Sequence, residues 1–411
     1  MRTIFVGTCC LLTILAVARG DDAPKKFRTD ADGHYKPDEV KKLAGKQKDE
    51  VLPWYQVVPG QFPPEGSAHA VSGELIWVDH LERRFHLRVD RNDGQDRGVW
   101  DLAINGVMLP YGSIYYHGAP AAMEDIPLGT HLHGLFYIRA PDDKTPPPEA
   151  QNNRVTPEAD FRRCFQLKDD FTYYADRHEL WKIESVDRTA MKLTAVSLVD
   201  GKPFGTPKQF DLLSSTRVFA ENGFAPLSAL APGQTVLFNL TWATLYGPGR
   251  LTDVWIDDAA RRLATEQQME RHRNHIRQRG LAGWVTEVDD DKEIVKVVFF
   301  GGIDSALLKE IPLDPAPSPT ATAATPPTPS KPGLAVARDS LMTYDPVNDR
   351  KRGEILNLRQ IAVEPGSSGL EITLKMEMLL EGYRPTRIVR LYPATWPVIA
   401  LPREEQFFGR E

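Results

Sequence analysis

The strongest constraint on the fold is a short pattern that occurs three times along the chain, at residues 75–79, 183–187 and 285–289. Each copy begins with an aliphatic residue and ends in Val-Asp, and another apolar residue follows six positions after the Asp. Apolar and polar residues alternate in the returning segment 85–89, which is typical of a half-buried β-strand after a polar turn. The pattern therefore predicts a β-hairpin at the start of three tandem copies of one module.

A middle element follows the hairpin in two copies. It reads Trp-Asp-Leu at residues 100–102 and Phe-Asp-Leu at residues 210–212, at similar distances from the opening Asp. We interpret both as the same strand of the module. The third copy has a looser counterpart at residues 334–336.

A closing element has two apolar residues three positions apart, a Gly three positions later, and a further apolar residue. Residues 123–132 and 227–236 share this spacing. We place a degraded third copy at Leu358 and Ile361, before Gly366. A Gly at this position supplies a turn with unrestricted φ before the next strand begins.

Five short strands per module, without disulfides to hold them, fit a small closed barrel, because closure removes exposed strand edges. The sequence therefore predicts an all-β protein of three tandem small OB-like β-barrel modules, with a β-sandwich as the alternative. One long helix is expected between the second and third modules, because the run 258–279 has no Pro or Gly, acidic residues at its start and Arg at its end.

The predicted organisation covers the whole chain in consecutive segments. They are a signal peptide (1–20), a flexible spacer (21–50), module 1 (51–140), a linker (141–157), module 2 (158–257), the connecting helix (258–279) and module 3 (280–411), whose Pro-rich insertion covers residues 315–332.

The N-terminus has the features of a secretory signal peptide. Arg2 precedes an apolar segment, and small residues follow it before Asp21. An uncleaved membrane anchor is the alternative. Cys9 and Cys10 leave with the signal peptide, so the mature chain keeps one thiol and no internal disulfide is expected. We expect the protein to be secreted or periplasmic.

This organisation resembles uncharacterised secreted bacterial envelope proteins with tandem OB-like small β-barrel modules. The resemblance covers residues 69 to 400 and implies a small-barrel fold outside the cytoplasm. It supplies no catalytic residues.

Aromatic and basic residues are the candidate ligand contacts. Exposed aromatic rings on OB-like modules can stack on sugar rings or bases. The candidates are Tyr115, Tyr116, Trp242 and Tyr246, together with Arg273 and Arg277 of the predicted helix. Packing in the core or between modules is the alternative role for the aromatic residues, and a solvated connector is the alternative for the helix.

Three histidines suggest an alternative metal site. His131 and His133 point to the same face of a strand, and His117 can supply a third ligand. No acidic residue stands close to them in the sequence to act as a base. The alternative is a polar strand face whose Leu132 points inward.

We therefore expect a non-enzymatic binding or scaffold protein of the cell envelope, with a polysaccharide or an envelope protein as partner and no cofactor. The alternatives are an extracytoplasmic metal-dependent hydrolase that uses the histidines of module 1, and nucleic-acid binding through the OB-like modules. The formal net charge of −6 argues against nucleic acid, because an acidic chain gains little from counterion release.

Overall fold

The structure is a computed structural model that describes most of the chain between residues 57 and 396. The described residues are 57–58, 60–80, 83–90, 103–137, 162–221, 223–241, 249–311, 333–338, 350–380, 382–393 and 395–396. The predicted signal peptide, the spacer, the linker 141–157 and the insertion 315–332 lie outside them.

Module 1 is a closed ring of five strands. Its strands are β1 (His69–Asp79), β2 (Arg84–Val89), β3 (Ile104–Tyr116), the short β4 (Ala119–Pro120), β5 (His131–Tyr137) and β6 (Arg162–Asp169). The sequence placed residue 158 onward in module 2, but β6 pairs with β3 and β5 and therefore belongs to module 1. The ring runs β1-β2-β3-β6-β5 and returns to β1, with β4 paired to β3 alone. Only the β3–β6 pair of this ring is parallel.

Module 2 repeats this topology strand for strand. Its strands are β7 (Glu179–Asp187), β8 (Lys192–Val199), β9 (Lys202–Ala220), the short β10 (Gly223–Ala225), β11 (Thr235–Thr241) and β12 (Arg250–Trp255). The ring runs β7-β8-β9-β12-β11, and β9–β12 is again the parallel pair. The expected all-β fold with small barrel modules is confirmed.

Module 3 closes differently. Its strands are β13 (Leu281–Asp289), β14 (Ile294–Phe300), β15 (Gly333–Arg338), β16 (Lys351–Gln360), β17 (Ser367–Met376) and β18 (Ile388–Pro393). They form a six-stranded barrel in the order β13-β14-β17-β16-β15-β18, and every pair is antiparallel. The β15–β16 hairpin occupies the place of the single last strand in modules 1 and 2. Because two strands replace one, the parallel pair of modules 1 and 2 has no counterpart in module 3, where the corresponding pairs are antiparallel.

The opening hairpin has a β-bulge at the same position in all three modules. The register shifts between Leu75 and Trp77, between Ile183 and Ser185, and between Val285 and Glu287. The residue before each bulge is buried in its barrel core. The predicted hairpins are therefore confirmed, and each has one extra residue in its first strand.

The closing turn also repeats, but its third copy is not where the sequence placed it. Gly129 and Gly233 have φ angles of 88° and 90°, and each donates its backbone N–H to the carbonyl before the bulge, at 2.7 Å. Thr386, with φ of 71°, makes the same bond at 2.9 Å in module 3. Leu358 instead lies in β16, and Gly366 precedes β17.

The middle element also needs correction. The backbone N–H of Leu212 in β9 donates to a carbonyl in the turn of the preceding hairpin, at 2.8 Å. The N–H groups of Met108 and Met376 make the equivalent hydrogen bonds at 2.9 and 2.8 Å. The counterparts of residues 210–212 are therefore residues 106–108 and 374–376. Residues 100–102 lie outside the described part of the chain, and residues 334–336 belong to the inserted β15.

Three α-helices accompany the strands in the described residues: α1 (Asp170–Asp176), α2 (Asp258–Arg279) and α3 (Ser305–Leu308). Helix α2 has the predicted bounds. The side chain of Asp257 accepts from the N–H of Ala260 at 2.8 Å to cap its start, and Gly280, with φ of 80°, ends it. None of the helices in the described residues is long and apolar enough to cross a membrane.

Helix α2 contacts all three modules. Arg261 donates to the carbonyl of Thr235 in module 2 at 3.1 Å, and the hydroxyl of Thr265 donates to the carbonyl of His117 in module 1 at 2.7 Å. Arg273 forms an ion pair of 2.6 Å with Asp304 beside α3 of module 3. The helix is therefore a connector with partners on several sides.

Modules 1 and 3 also share an aromatic cluster. Trp284 of β13 lies with its ring centroid 4.9 Å from that of Tyr111 of β3 and 4.8 Å from that of Phe62. Tyr111 is 1% exposed and Trp284 is 4% exposed. Burial of this extent means that modules 1 and 3 pack directly against each other.

Candidate functional site

Two histidines of β5 face away from the core of module 1. Residues 131 and 133 lie on one face of the strand, whereas Leu132 between them is fully buried in the barrel core. Helix α1 covers this outer face, and the ring of Tyr173 stacks on His133 at 3.7 Å between centroids. His131 is only 4% exposed, so the outer face is buried at this point.

Helix α1 brings an aspartate to these histidines. The helix starts directly after β6, and Asp169 caps it by accepting from the N–H of Thr172 at 3.0 Å. Asp170 is the first helical residue. The side chain of Asn239 in module 2 holds the start of this helix. Its Nδ2 donates to Oδ2 of Asp169 at 2.9 Å, and its Oδ1 accepts from the backbone N–H of Phe171 at 2.9 Å.

Hydrogen-bond distances link these side chains into one continuous network. Oδ1 of Asp170 lies 2.7 Å from Nδ1 of His131 and 2.9 Å from Nε2 of His133. Nε2 of His131 lies 2.7 Å from Oδ2 of Asp90, and Nδ1 of His133 lies 3.0 Å from Oγ of Ser72. Both ring nitrogens of both histidines therefore have a partner.

The remaining oxygen of the aspartate is also held. Oδ2 of Asp170 accepts from the backbone N–H of Leu240 in module 2 at 2.9 Å. The carboxylate thus joins β5 of module 1 to β11 of module 2. It lies at the junction of the two modules.

The electrostatics separate the two histidines. Burial acts to lower the pKa of His131, but the charges of Asp170 and Asp90 outweigh it and raise that pKa well above its ordinary value. Burial lowers the pKa of His133 despite its hydrogen bond to Asp170. Although burial opposes this, His131 and His133 hold the pKa of Asp170 below its usual range. The two neighbouring histidines therefore differ in the direction in which their pKa is shifted.

His131, His133 and Asp170 are also arranged as metal ligands. Each offers one ligand atom, and these atoms all lie within 4.8 Å of one another. Two imidazoles and one carboxylate are a ligand set that divalent transition metals accept.

His117 does not belong to this group. Its ring stacks on Tyr116 at 3.8 Å between centroids and meets the ring of Trp255 edge-on at 4.8 Å. Burial lowers its pKa to about 4, so it packs as a neutral aromatic ring. The expected set of three histidines is replaced by two histidines and Asp170.

The sequence did not reveal either aspartate. Asp170 and Asp90 lie 39 and 41 positions from His131 in the chain. The expectation that no acidic group stands near the histidines holds for the sequence but not for the fold. A signal was available only in the pair Asp169-Asp170, at the point where β6 ends and helix α1 begins.

The predicted aromatic contacts are partly accounted for. Tyr116 is 4% exposed and packs on His117, and Tyr115 is half-buried with Nζ of Lys168 at 5.6 Å from its ring centroid. Trp242 and Tyr246 lie outside the described residues. Neither described tyrosine presents a fully open ring face.

The two predicted arginines bridge helix α2 to module 3. Arg273 pairs with Asp304 at 2.6 Å, and Arg277 pairs with Glu310 at 2.7 Å. These contacts account for the basic residues as part of the connector.

A second candidate surface lies at the bulge of module 1. Ile76 and Trp77 are each 41% exposed, and the ring of Trp77 lies 4.5 Å from that of His86 on β2. Modules 2 and 3 have polar residues at the same two positions, Glu-Ser at 184–185 and Thr-Glu at 286–287. This surface was not singled out from the sequence, because the bulge that turns both side chains outward was not foreseen.

The chain has no detectable relatives in two comparisons with known proteins. A scan against models of protein families gives no match, and a search of curated protein sequences gives none either. The roles of these residues therefore rest on their geometry alone.

Proposed function

We propose that the protein is a non-enzymatic binding scaffold outside the cytoplasm, and that module 1 holds its ligand surface at Ile76 and Trp77. The observation that carries this proposal is the difference between the modules at one structural position. Water-facing bulge positions favour polar residues, as modules 2 and 3 have them. An Ile-Trp pair left 41% exposed at the same place is suited to contact with a ligand.

The surroundings of Trp77 fit a sugar polymer. The rings of Trp77 and His86 form a tilted pair at 34°, which offers an aromatic platform. Aromatic rings of this kind can stack on the apolar face of a sugar ring.

The fixed arrangement of modules supports a scaffold role. Helix α2 contacts all three modules, and the cluster of Tyr111 and Trp284 joins modules 1 and 3. Surfaces on rigidly joined modules keep a constant spacing. A polymer that contacts more than one module then binds with a raised effective concentration.

The experiment is a glycan-array screen with the chain of residues 21–411, followed by titration of the best polysaccharide. The test variant combines Ile76→Glu with Trp77→Ser, which installs the residues of module 2. The control is Phe224→Ser, because this ring is 75% exposed in module 2. We expect at least a tenfold loss of affinity in the double variant and none in the control.

Two results would contradict the proposal. One is the absence of polysaccharide binding in the wild-type chain, and the other is equal binding by the double variant. A single-stranded oligonucleotide serves as the competing probe. Tight binding to it with a steep salt dependence would indicate a nucleic-acid-binding protein instead.

A further inference from the structure

We propose that His131, His133 and Asp170 form a binding site for one divalent transition-metal ion, of the zinc type, at the junction of modules 1 and 2. The ligand atoms are Nδ1 of His131, Nε2 of His133 and one carboxylate oxygen of Asp170. This inference is independent of the sugar-binding proposal.

The spacing of the ligand atoms agrees with a common metal centre. Oδ1 of Asp170 lies 2.7 Å from Nδ1 of His131 and 2.9 Å from Nε2 of His133. Bonds of about 2.0–2.2 Å to one ion put neighbouring ligand atoms about 2.8–3.4 Å apart. The two distances to Asp170 are therefore within a few tenths of an ångström of this range, and all three ligand atoms lie within 4.8 Å of one another.

Every ligand is also oriented by a further partner. Nε2 of His131 faces Asp90 at 2.7 Å, and Nδ1 of His133 faces the hydroxyl of Ser72 at 3.0 Å. The second oxygen of Asp170 is held by the N–H of Leu240 at 2.9 Å. Metal-binding histidines usually donate their second N–H to a carboxylate or another acceptor, which fixes the ring and raises its basicity.

Carboxylate groups lie on both sides of His131. Oδ1 of Asp170 and Oδ2 of Asp90 are each 2.7 Å from a ring nitrogen of this histidine. Carboxylate oxygens attract a divalent cation, and the attraction is strong where water is excluded, as it is at the side chain of Asp170, which is only 1% exposed.

The site can exchange an ion with solvent. The side chains of His133 and Asp90 are 14% and 24% exposed, whereas those of His131 and Asp170 are almost fully buried. Three protein ligands leave coordination positions for water or for a ligand. Because Asp170 also bonds to module 2, a bound ion would tie the two modules together.

The experiment is equilibrium dialysis and calorimetric titration of the chelator-stripped chain of residues 21–411 with Zn²⁺. The test variants are His133→Gln and Asp170→Asn, and the control is His80→Gln, an exposed histidine on the same module. Circular dichroism verifies that each variant is folded. We expect one Zn²⁺ per wild-type chain, at least a tenfold loss of affinity in both test variants, and wild-type affinity in the control.

X-ray absorption spectroscopy of the zinc-loaded wild-type chain provides a test that does not depend on the folding of any variant. We expect two imidazole ligands together with oxygen ligands. A first shell with fewer than two imidazoles would overturn the proposal. Wild-type affinity in both folded variants, or no stoichiometric uptake by the wild-type chain, would overturn it as well. A polysaccharide screen has no bearing on either outcome, so the two proposals fail separately.

Discussion

Thr386 allows a direct test of the repeat assignment. It occupies the closing turn of module 3 at a φ of 71°, where modules 1 and 2 have Gly129 and Gly233. Thr386 is exposed, so its replacement removes little packing. We predict that Thr386→Gly stabilises the protein and that the reverse change, Gly233→Thr, destabilises it.

The magnitudes follow from the backbone. An L-residue in the left-handed region costs about 1–2 kcal/mol, and a β-branched residue lies at the upper end. Glycine loses about 0.5–1 kcal/mol more conformational entropy on folding than alanine does. For a residue at the upper end, the difference predicts about 1–1.5 kcal/mol of stabilisation for Thr386→Gly. No atom lies within 4 Å of a Cβ placed on Gly233, so Gly233→Thr pays the same conformational cost without a clash.

The assay is urea unfolding of the wild-type chain and both variants, with the shift in midpoint converted to free energy at constant slope. Opposite signs of similar size are expected. A loss of stability in Thr386→Gly, or an unchanged midpoint in Gly233→Thr, would refute the assignment of these residues to one turn.

Three further predictions concern buried polar groups and export. Burial lowers the pKa of His272 to about 4, so this histidine takes up a proton at a higher pH in the unfolded chain than in the folded one. We therefore expect the free energy of unfolding to fall by up to about 3 kcal/mol as the pH drops from about 6.5 to about 4. His272→Gln should flatten this slope in urea titrations, and an unchanged slope would rule out this histidine as the cause. Asn239→Leu should cost about 2–4 kcal/mol in chemical denaturation, because Asp169 and the N–H of Phe171 lose buried partners; a loss below about 1 kcal/mol would contradict this role. Mass spectrometry of the exported protein should show the loss of residues 1–20, whereas an intact mass would indicate an uncleaved anchor.

The hairpins and the helix were predictable because their signals are local. Alternation of apolar and polar residues fixes which face of a strand is buried, and the sequence of the returning strand at 85–89 shows it directly. Helix α2 has an acidic cap at Asp257 and a terminal Gly280, so both ends could be read to the residue.

The closure of module 3 was not predictable from the same signals. The inserted β15–β16 hairpin separates β14 from β17 in the sequence, so the closing turn moves to Thr386. Leu358 and Ile361 imitate its spacing by chance. The search for a Gly also missed the true copy, because Thr386 takes the same backbone conformation at some cost.

The candidate metal ligands were only half predictable for a related reason. His131 and His133 are neighbours on one strand, and the period of the strand is enough to place them together. Asp170 reaches them only because β6 pairs with β5 and the chain turns into α1 directly after it. That step depends on ring closure, which no local pattern encodes.

The three modules therefore share the bulged hairpin and the closing turn, which local interactions determine. They differ in the strands that close the barrel. A backbone hydrogen bond joins the bulge to the closing turn in every module. Its acceptor is the carbonyl of the residue before the bulge, which is Leu75, Ile183 or Val285. A bulge that is fixed by this bond places two successive side chains at the surface whatever their chemistry. Those two positions are thus free to vary without loss of the fold. This freedom is the basis of our proposal that the exposed pair Ile76 and Trp77 contacts a ligand and is not required for folding.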